Sequence, residues 1–552
     1  MRASSCIFRN IMLINSLDLV IVVGYMLGIL VIGVMAGRNR LTTSNDYFLA
    51  GRSLNWLMVG AALFATNIST IHLVGLASDG YRIGLVVGNF EWMAAFTLIL
   101  LGLVFAPFYF KSKITTLPEY LEKRYSPHSR TFLAFISVMS ALLVHIGISL
   151  YAGAKVFEYF FNIDVIYSIT LISVVTAVYT VMGGLRAVVV TETIQTFILL
   201  IGALSVTVAA FMALPSVGIH SLAELKAAVK PDQVNMLHSF RNAQGGLNEY
   251  SAYSMILGYP ILGIWYWCTD QTIVQRVLGA KTQRDAQLGP LFAGFLKLLP
   301  VFFMVLPGVL GYVLFKDIIG ADNDLTLPVM IQQLLPTGLI GLVTAGLLAA
   351  LMSTIAGALN SSATLVSFDI VKRVWPDTRD QTQILIGRIT AVVVMLLAMA
   401  WSTQGGKFGS IFVAINKIPM MFAPAISCVF LWGVFWRRGT KEASLATLAA
   451  GSVVGTIYLI VDLPLIGDVS IITQRWGIPF MQVGIYLFIF CSLVYYTISK
   501  MTPEPDVEDL GNLCWENPLS AVMYGRISGW SDPRAWAITL FSIVIIFYLI
   551  LG

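Results

Sequence analysis

The nine residues 64-FATNISTIH-72 sit in the middle of a run apolar enough to cross a membrane, yet they are poor in helix formers. Thr66, Asn67, Ser69 and Thr70 carry short polar side chains that compete for backbone hydrogen bonds, so the helix is expected to be interrupted here. A second weak point is 256-ILGYPILGIWYW-267, where Gly258, Pro260 and Gly263 disfavour continuous helix. It runs directly into the polar stretch 268-CTDQTIVQR-276. The two interrupted helices are the second and seventh apolar spans, five apart. They therefore open two successive five-helix units, the pattern of an inverted-repeat membrane protein with a binding site near the bilayer midplane.

Composition sets the same frame. The chain has 552 residues, 57% hydrophobic and 11% charged, with a mean hydropathy of +0.82. A soluble protein carries about twice that charged fraction. Continuous apolar runs exclude a β-barrel and make an all-α polytopic membrane protein the expected class. At roughly 20 residues per crossing, about fourteen spans are expected. They fall at 16–37, 53–79, 83–110, 131–156, 162–182, 187–214, 251–276, 287–316, 336–371, 385–403, 408–436, 442–462, 476–499 and 535–552. All belong to one transmembrane unit, 1–552. In it 16–37 is an extra N-terminal helix, 53–214 the first five-helix repeat, 251–436 the second, and 442–552 extra C-terminal helices.

Lys and Arg concentrate after odd-numbered spans, as in Lys111, Lys113, Lys123 and Arg124, and in Lys372, Arg373 and Arg379. The positive-inside rule then puts the N-terminus outside, in a plasma (inner) membrane protein. The net charge of +5 is read as basic cytoplasmic loops, not as a nucleic-acid surface. Five scattered cysteines give neither a disulfide framework nor a zinc site. With no P-loop pattern, an ion gradient is the expected energy source.

Ionisable groups inside spans usually face a cavity. Here Asn67 and His72 lie on the second span, Glu91 on the third, Glu192 and Gln195 on the sixth, the Trp265–Asp270 cluster on the seventh and Lys297 on the eighth. Each has a plainer reading: Glu91 as an interfacial anchor, His72 as a packing histidine, Trp265, Tyr266 and Trp267 as a membrane-interface belt. Lys297 resists such a reading, because it lies about ten residues into its span, where snorkelling is strained. The ninth span, 349-AALMSTIAGALNSSATLVSFDI-370, is rich in hydroxyls, which serve helix packing or the oxygen ligation of a hard cation such as sodium.

The pieces "LFATNISTIHLVGLA", "GNFEW", "WYWCTDQTIVQR" and "LNSSATL" resemble the solute:sodium symporter family, specifically its sodium–glucose cotransporter branch, over about residues 20 to 500. The resemblance implies a LeuT-like fold and sodium-coupled import of a glucose- or galactose-like monosaccharide by alternating access. It implies no enzymatic activity. Backbone oxygens of Ala65, Ile68 and Ala350 and the hydroxyls of Ser353 and Thr354 would bind sodium. Asn67, His72, Glu91, Tyr266, Trp267 and Lys297 would contact the sugar, Tyr266 would also be the inner gate, and Glu192 would lie on the sodium exit path. Asn416 stands where the family has a sugar-binding glutamine, one methylene longer. Lys417 beside it adds a cation that would suit an acidic sugar. Gly263 replaces a polar contact, which would enlarge the pocket. Ala356 and Gly357 stand where hydroxyls mark a second sodium site, so one sodium per solute is expected. Alternatives are a sodium symporter for inositol, an acidic sugar, a carboxylate or an amino acid, and a non-transporting membrane sensor. The segment 529-GWSDPRAW-536 has no assignable role, and the oligomeric state is not specified.

Overall fold

A computed structural model describes residues 15–37, 42–241, 245–404, 416–462, 470–506, 510–511, 513–523 and 529–552, with only the backbone at 530. Arg38 and Arg40, which also count among the basic residues after odd-numbered spans, and the first part of the expected span 408–436 lie outside them. The described chain is helical apart from short connections and isolated bridges. Ten helical runs are long and apolar enough to cross a bilayer, and one bent pair makes an eleventh. The difference from about fourteen has physical causes. Val165–Ala213 is one helical run, but about 73 Å of straight helix would overshoot a bilayer about twofold. Gly184, at φ 58°, ψ −161°, breaks it into two crossings. A Cβ there would lie 2.5 Å from the Tyr47 carbonyl, so only glycine fits. The chain at 254–278 and the Ala423–Phe435 helix are apolar pieces too short to count singly.

The second span breaks where its sequence is weakest. Asn55 caps the first half by accepting from the Met58 amide, and helix Trp56–Asn67 stops at Asn67. Ile68 and Ser69 are extended, Thr70–Ile83 resumes, and the halves meet at 61°. The seventh span breaks later than expected. Pro260 lies inside a helical stretch that runs unbroken from Ser254–Gly258 through Tyr259–Gly263 into Ile264–Thr269, and the π-helical turn just ahead of it accommodates the hydrogen bond that proline removes. The interruption falls at Asp270, in extended conformation, whose carboxylate caps Gln271–Leu278 by accepting from the Thr272 amide at 2.7 Å. A further break lies at Lys297, where Gln283–Leu296 ends ahead of Pro300.

Burial orders the helices. The ninth span, Leu339–Val374, has 83% of its most apolar stretch buried, against 17% for both Ser16–Gly37 and Pro533–Leu551. It is therefore the central post, and the terminal helices face lipid. The segment 529-GWSDPRAW-536 proves to be the start of the last helix: Asp532 caps it by accepting from Arg534 N, Pro533 takes the first turn, and Trp536 packs edge-on against Trp56 and Phe295.

Candidate functional site

The breaks at Asn67–Ser69 and at Lys297 open on one cavity, which the aromatic run Trp265–Trp267 ahead of Asp270 also lines. All seven expected solute-contacting residues line it: Asn67, His72, Glu91, Tyr266, Trp267, Lys297 and Asn416. The Lys297 ammonium is the hub. It forms an ion pair with Glu91, donates to Asn67 Oδ1 at 2.5 Å and lies 5.7 Å from the Trp267 ring centroid. Lys297 and Glu91 are each 1% exposed, so neither is an interfacial anchor. Adjacent Trp92 donates its indole N–H to the Leu298 carbonyl at 3.2 Å, a group released by the break at Lys297. Glu91 and Trp92 thus bond the third span to the break in the eighth. At the break in the second span, the Ser69 amide donates to His72 Nδ1 at 3.3 Å.

The aromatic run belongs to this site and not to a lipid belt. Trp265 and Trp267 are buried, and Tyr266 stands edge-on to both, at 5.9 and 5.1 Å. Trp265 also packs on Phe422 and is stacked with His145. His145, not singled out from the sequence, lines the cavity and places Nε2 2.7 Å from Asp270 Oδ2. The available signal was Asp270 itself, an N-cap residue ahead of a new helical turn. Several wall residues ride on π-helical turns, at Ala141–Ile148 and Ile264–Thr269, which widen the backbone and turn side chains inward.

One step from Asn67, oxygens gather between the second and ninth spans. Ser353 Oγ lies 2.7 Å from Ala65 O and 2.9 Å from Ala350 O. Thr354 Oγ1 lies 3.2 Å from Ala350 O and 2.9 Å from Thr66 O. Four of the five expected sodium-ligating groups thus lie within hydrogen-bonding distance of one another, and Ile68 sits at the break itself. The cluster consists of neutral oxygens, which suit a hard monovalent cation.

Glu192 is already occupied. It accepts from Thr66 Oγ1 at 2.7 Å and pairs with Arg276 at 2.5 Å, all within the buried interior. The inner half of the seventh span is bonded to the ninth as well, through Thr272–Ser361 at 2.9 Å and Gln275–Thr364 at 2.6 Å. Gln271 accepts from the Leu117 amide. Two sequence expectations are corrected. Lys417 does not add a cation to the cavity: its ammonium lies 2.5 Å from the Asp462 carboxylate and 2.9 Å from the Asp462 carbonyl. Gly263 does not enlarge the pocket, because Thr97 and Tyr259 stand 2.8 Å from where its Cβ would be. Beside Gly357 stands the Arg276 guanidinium, 2.4 Å from a Cβ placed there.

The model of the sodium:solute symporter family matches residues 47–451. A sodium/mannose cotransporter from Bos taurus is 33% identical, over 94% of this chain and 92% of its own. Sodium/glucose cotransporter 1 from Ovis aries is 32% identical, over 91% and 81%. In fold, the chain is similar to the substrate-bound outward-open state of a Na+-coupled sialic acid symporter, with a TM-score of 0.74 at 19% identity, covering 89% of this chain and 99% of that one.

Proposed function

We propose that this chain, which belongs to the sodium:solute symporter family, imports a neutral monosaccharide together with one sodium ion across the plasma membrane, its N-terminus outside. It is a membrane transporter and not an enzyme. The observation that carries the sugar reading is the cavity: amide, imidazole, carboxylate and ammonium groups converge on a pocket walled by Tyr266 and Trp267. Polar groups of both donor and acceptor type suit hydroxyls, and aromatic faces suit the C–H surface of a sugar ring. Neutrality follows from the pairing of charges. Lys297 is matched by Glu91 and Lys417 by Asp462, so neither ammonium offers an unmatched charge to a carboxylate.

In this reading, sodium binds among Ala65, Ile68, Ala350, Ser353 and Thr354. It ties the broken second span to the central ninth and thereby fixes Asn67 and His72 at the solute. Binding of either ligand favours the other by the same factor. Tyr266 closes the cavity inward until the inner half of the seventh span moves, and rocking of the helical bundle then exposes the site. One sodium per solute is supported by the Arg276 guanidinium beside Gly357, which fills with donor groups the place where a second sodium would need oxygens.

Thermal unfolding of the purified protein with a panel of neutral and acidic sugars, with and without sodium, tests the reading. Sodium-dependent stabilisation by a neutral hexose is expected. Stabilisation by a uronate or an amino acid alone contradicts it.

A further inference from the structure

We propose that Asn360 is a station for sodium on its way from the binding site to the cytoplasm, an inference that rests on the symport reading above. Asn360 lies on the ninth span seven residues past Ser353, about 10 Å further along the helix. It is 2% exposed, and neither its amide oxygen nor its amide nitrogen has a hydrogen-bond partner among the described residues. A buried carboxamide left dry is costly, so this one takes a water or a cation.

Its position says which. Ser353, Gly357, Asn360 and Thr364 follow one another at spacings of four, three and four, so they share one face of the helix. The face begins at a sodium-ligating hydroxyl and runs toward the basic end at Lys372 and Arg373. Beyond Asn360, Gln275 of the seventh span donates to Thr364 while its own amide oxygen, also buried, lacks a partner. Neutral oxygens therefore line the descent, and an amide oxygen replaces hydration water for a hard cation without a protonation step. Glu192 is not the station in this arrangement, since both its oxygens face Arg276 and one also takes Thr66.

The Arg276 guanidinium stands over this face at Gly357, between Ser353 and Asn360. It belongs to the inner half of the seventh span, so it bars sodium from the seam until that half moves away. Release of sodium and opening of the inner gate are thereby one event.

The experiment compares two fluxes in proteoliposomes, using the labelled sugar that stabilises the protein. Net uptake requires sodium to leave inward; sugar exchange with saturating sodium on both faces does not. For Asn360→Leu, net uptake is expected to fall about tenfold. Exchange and the external sodium half-saturation should stay within about twofold of wild type. Asn360→Ala, which removes the amide without adding bulk, repeats the test should the leucine variant fail to fold. Net uptake equal to wild type, or a loss of exchange matching the loss of net uptake, overturns the proposal. Absence of sodium-driven uptake in the wild type would instead refute the symport reading.

Discussion

Lys297 shows at the scale of one residue how a charge is kept inside a membrane protein. Its ammonium is surrounded by a carboxylate, an amide oxygen and an indole face, each from a different span. Removing one member of such a buried pair costs about 3–5 kcal/mol in general, because the other is left uncompensated. Lys297→Ala is therefore expected to abolish solute-dependent stabilisation and uptake while sodium alone still stabilises the protein. Uptake at the wild-type rate would remove Lys297 from the site. Ser353 gives the converse case. Ser353→Ala deletes one hydroxyl of the proposed sodium site, so the sodium half-saturation of uptake should rise about tenfold, with solute affinity at saturating sodium within about twofold. Equal losses in both would assign Ser353 to helix packing instead.

Among the elements, the proposed mechanism rests on the broken spans, and the inner half of the seventh is bonded to two neighbouring spans. Helix Gln271–Leu278 is held to the sixth span by Arg276–Glu192 and to the ninth by Thr272 and Gln275. If this half swings at the inner gate, these bonds break together. Arg276→Met alone should lower the thermal unfolding midpoint more than the double change Arg276→Met with Glu192→Gln, because the single change strands a buried carboxylate. A double variant at least as unstable as the single would show that the two groups do not act as a pair. Much of this was legible in the sequence. The break at Phe64–His72 announced itself through residues that bond to backbone, and Lys297, Glu91 and Asn67 through their cost in lipid. What failed was position and pairing. Pro260 marked a break that fell ten residues later at Asp270, since the π-helical turn Ser254–Gly258 ahead of the proline lets the helix run on through it. Lys417 looked like a pocket charge because Asp462 lies 45 residues away in sequence. His145 itself gave no sign, because a single histidine in an apolar helix does not reveal the carboxylate it faces; the signal lay in its partner Asp270.

For the whole molecule, the energetics of one sodium are sufficient. One charge crossing 100 mV is worth about 2.3 kcal/mol, and a tenfold sodium gradient adds about 1.4 kcal/mol. Their sum, about 3.7 kcal/mol, sustains a solute gradient of several hundredfold. The fold matches that task. A central, deeply buried ninth span presents oxygens to the second span's break, and the solute cavity opens beside the same break. Coupling then needs no long pathway, because Ala65 and Asn67 are two residues apart on one interrupted helix. The most direct test is accumulation of a labelled neutral hexose by proteoliposomes under an inward sodium gradient, with charge movement recorded alongside. Uptake above the external concentration is expected, lost when potassium replaces sodium, with one charge entering per sugar. Uptake indifferent to sodium, or two charges per neutral sugar, would contradict the account.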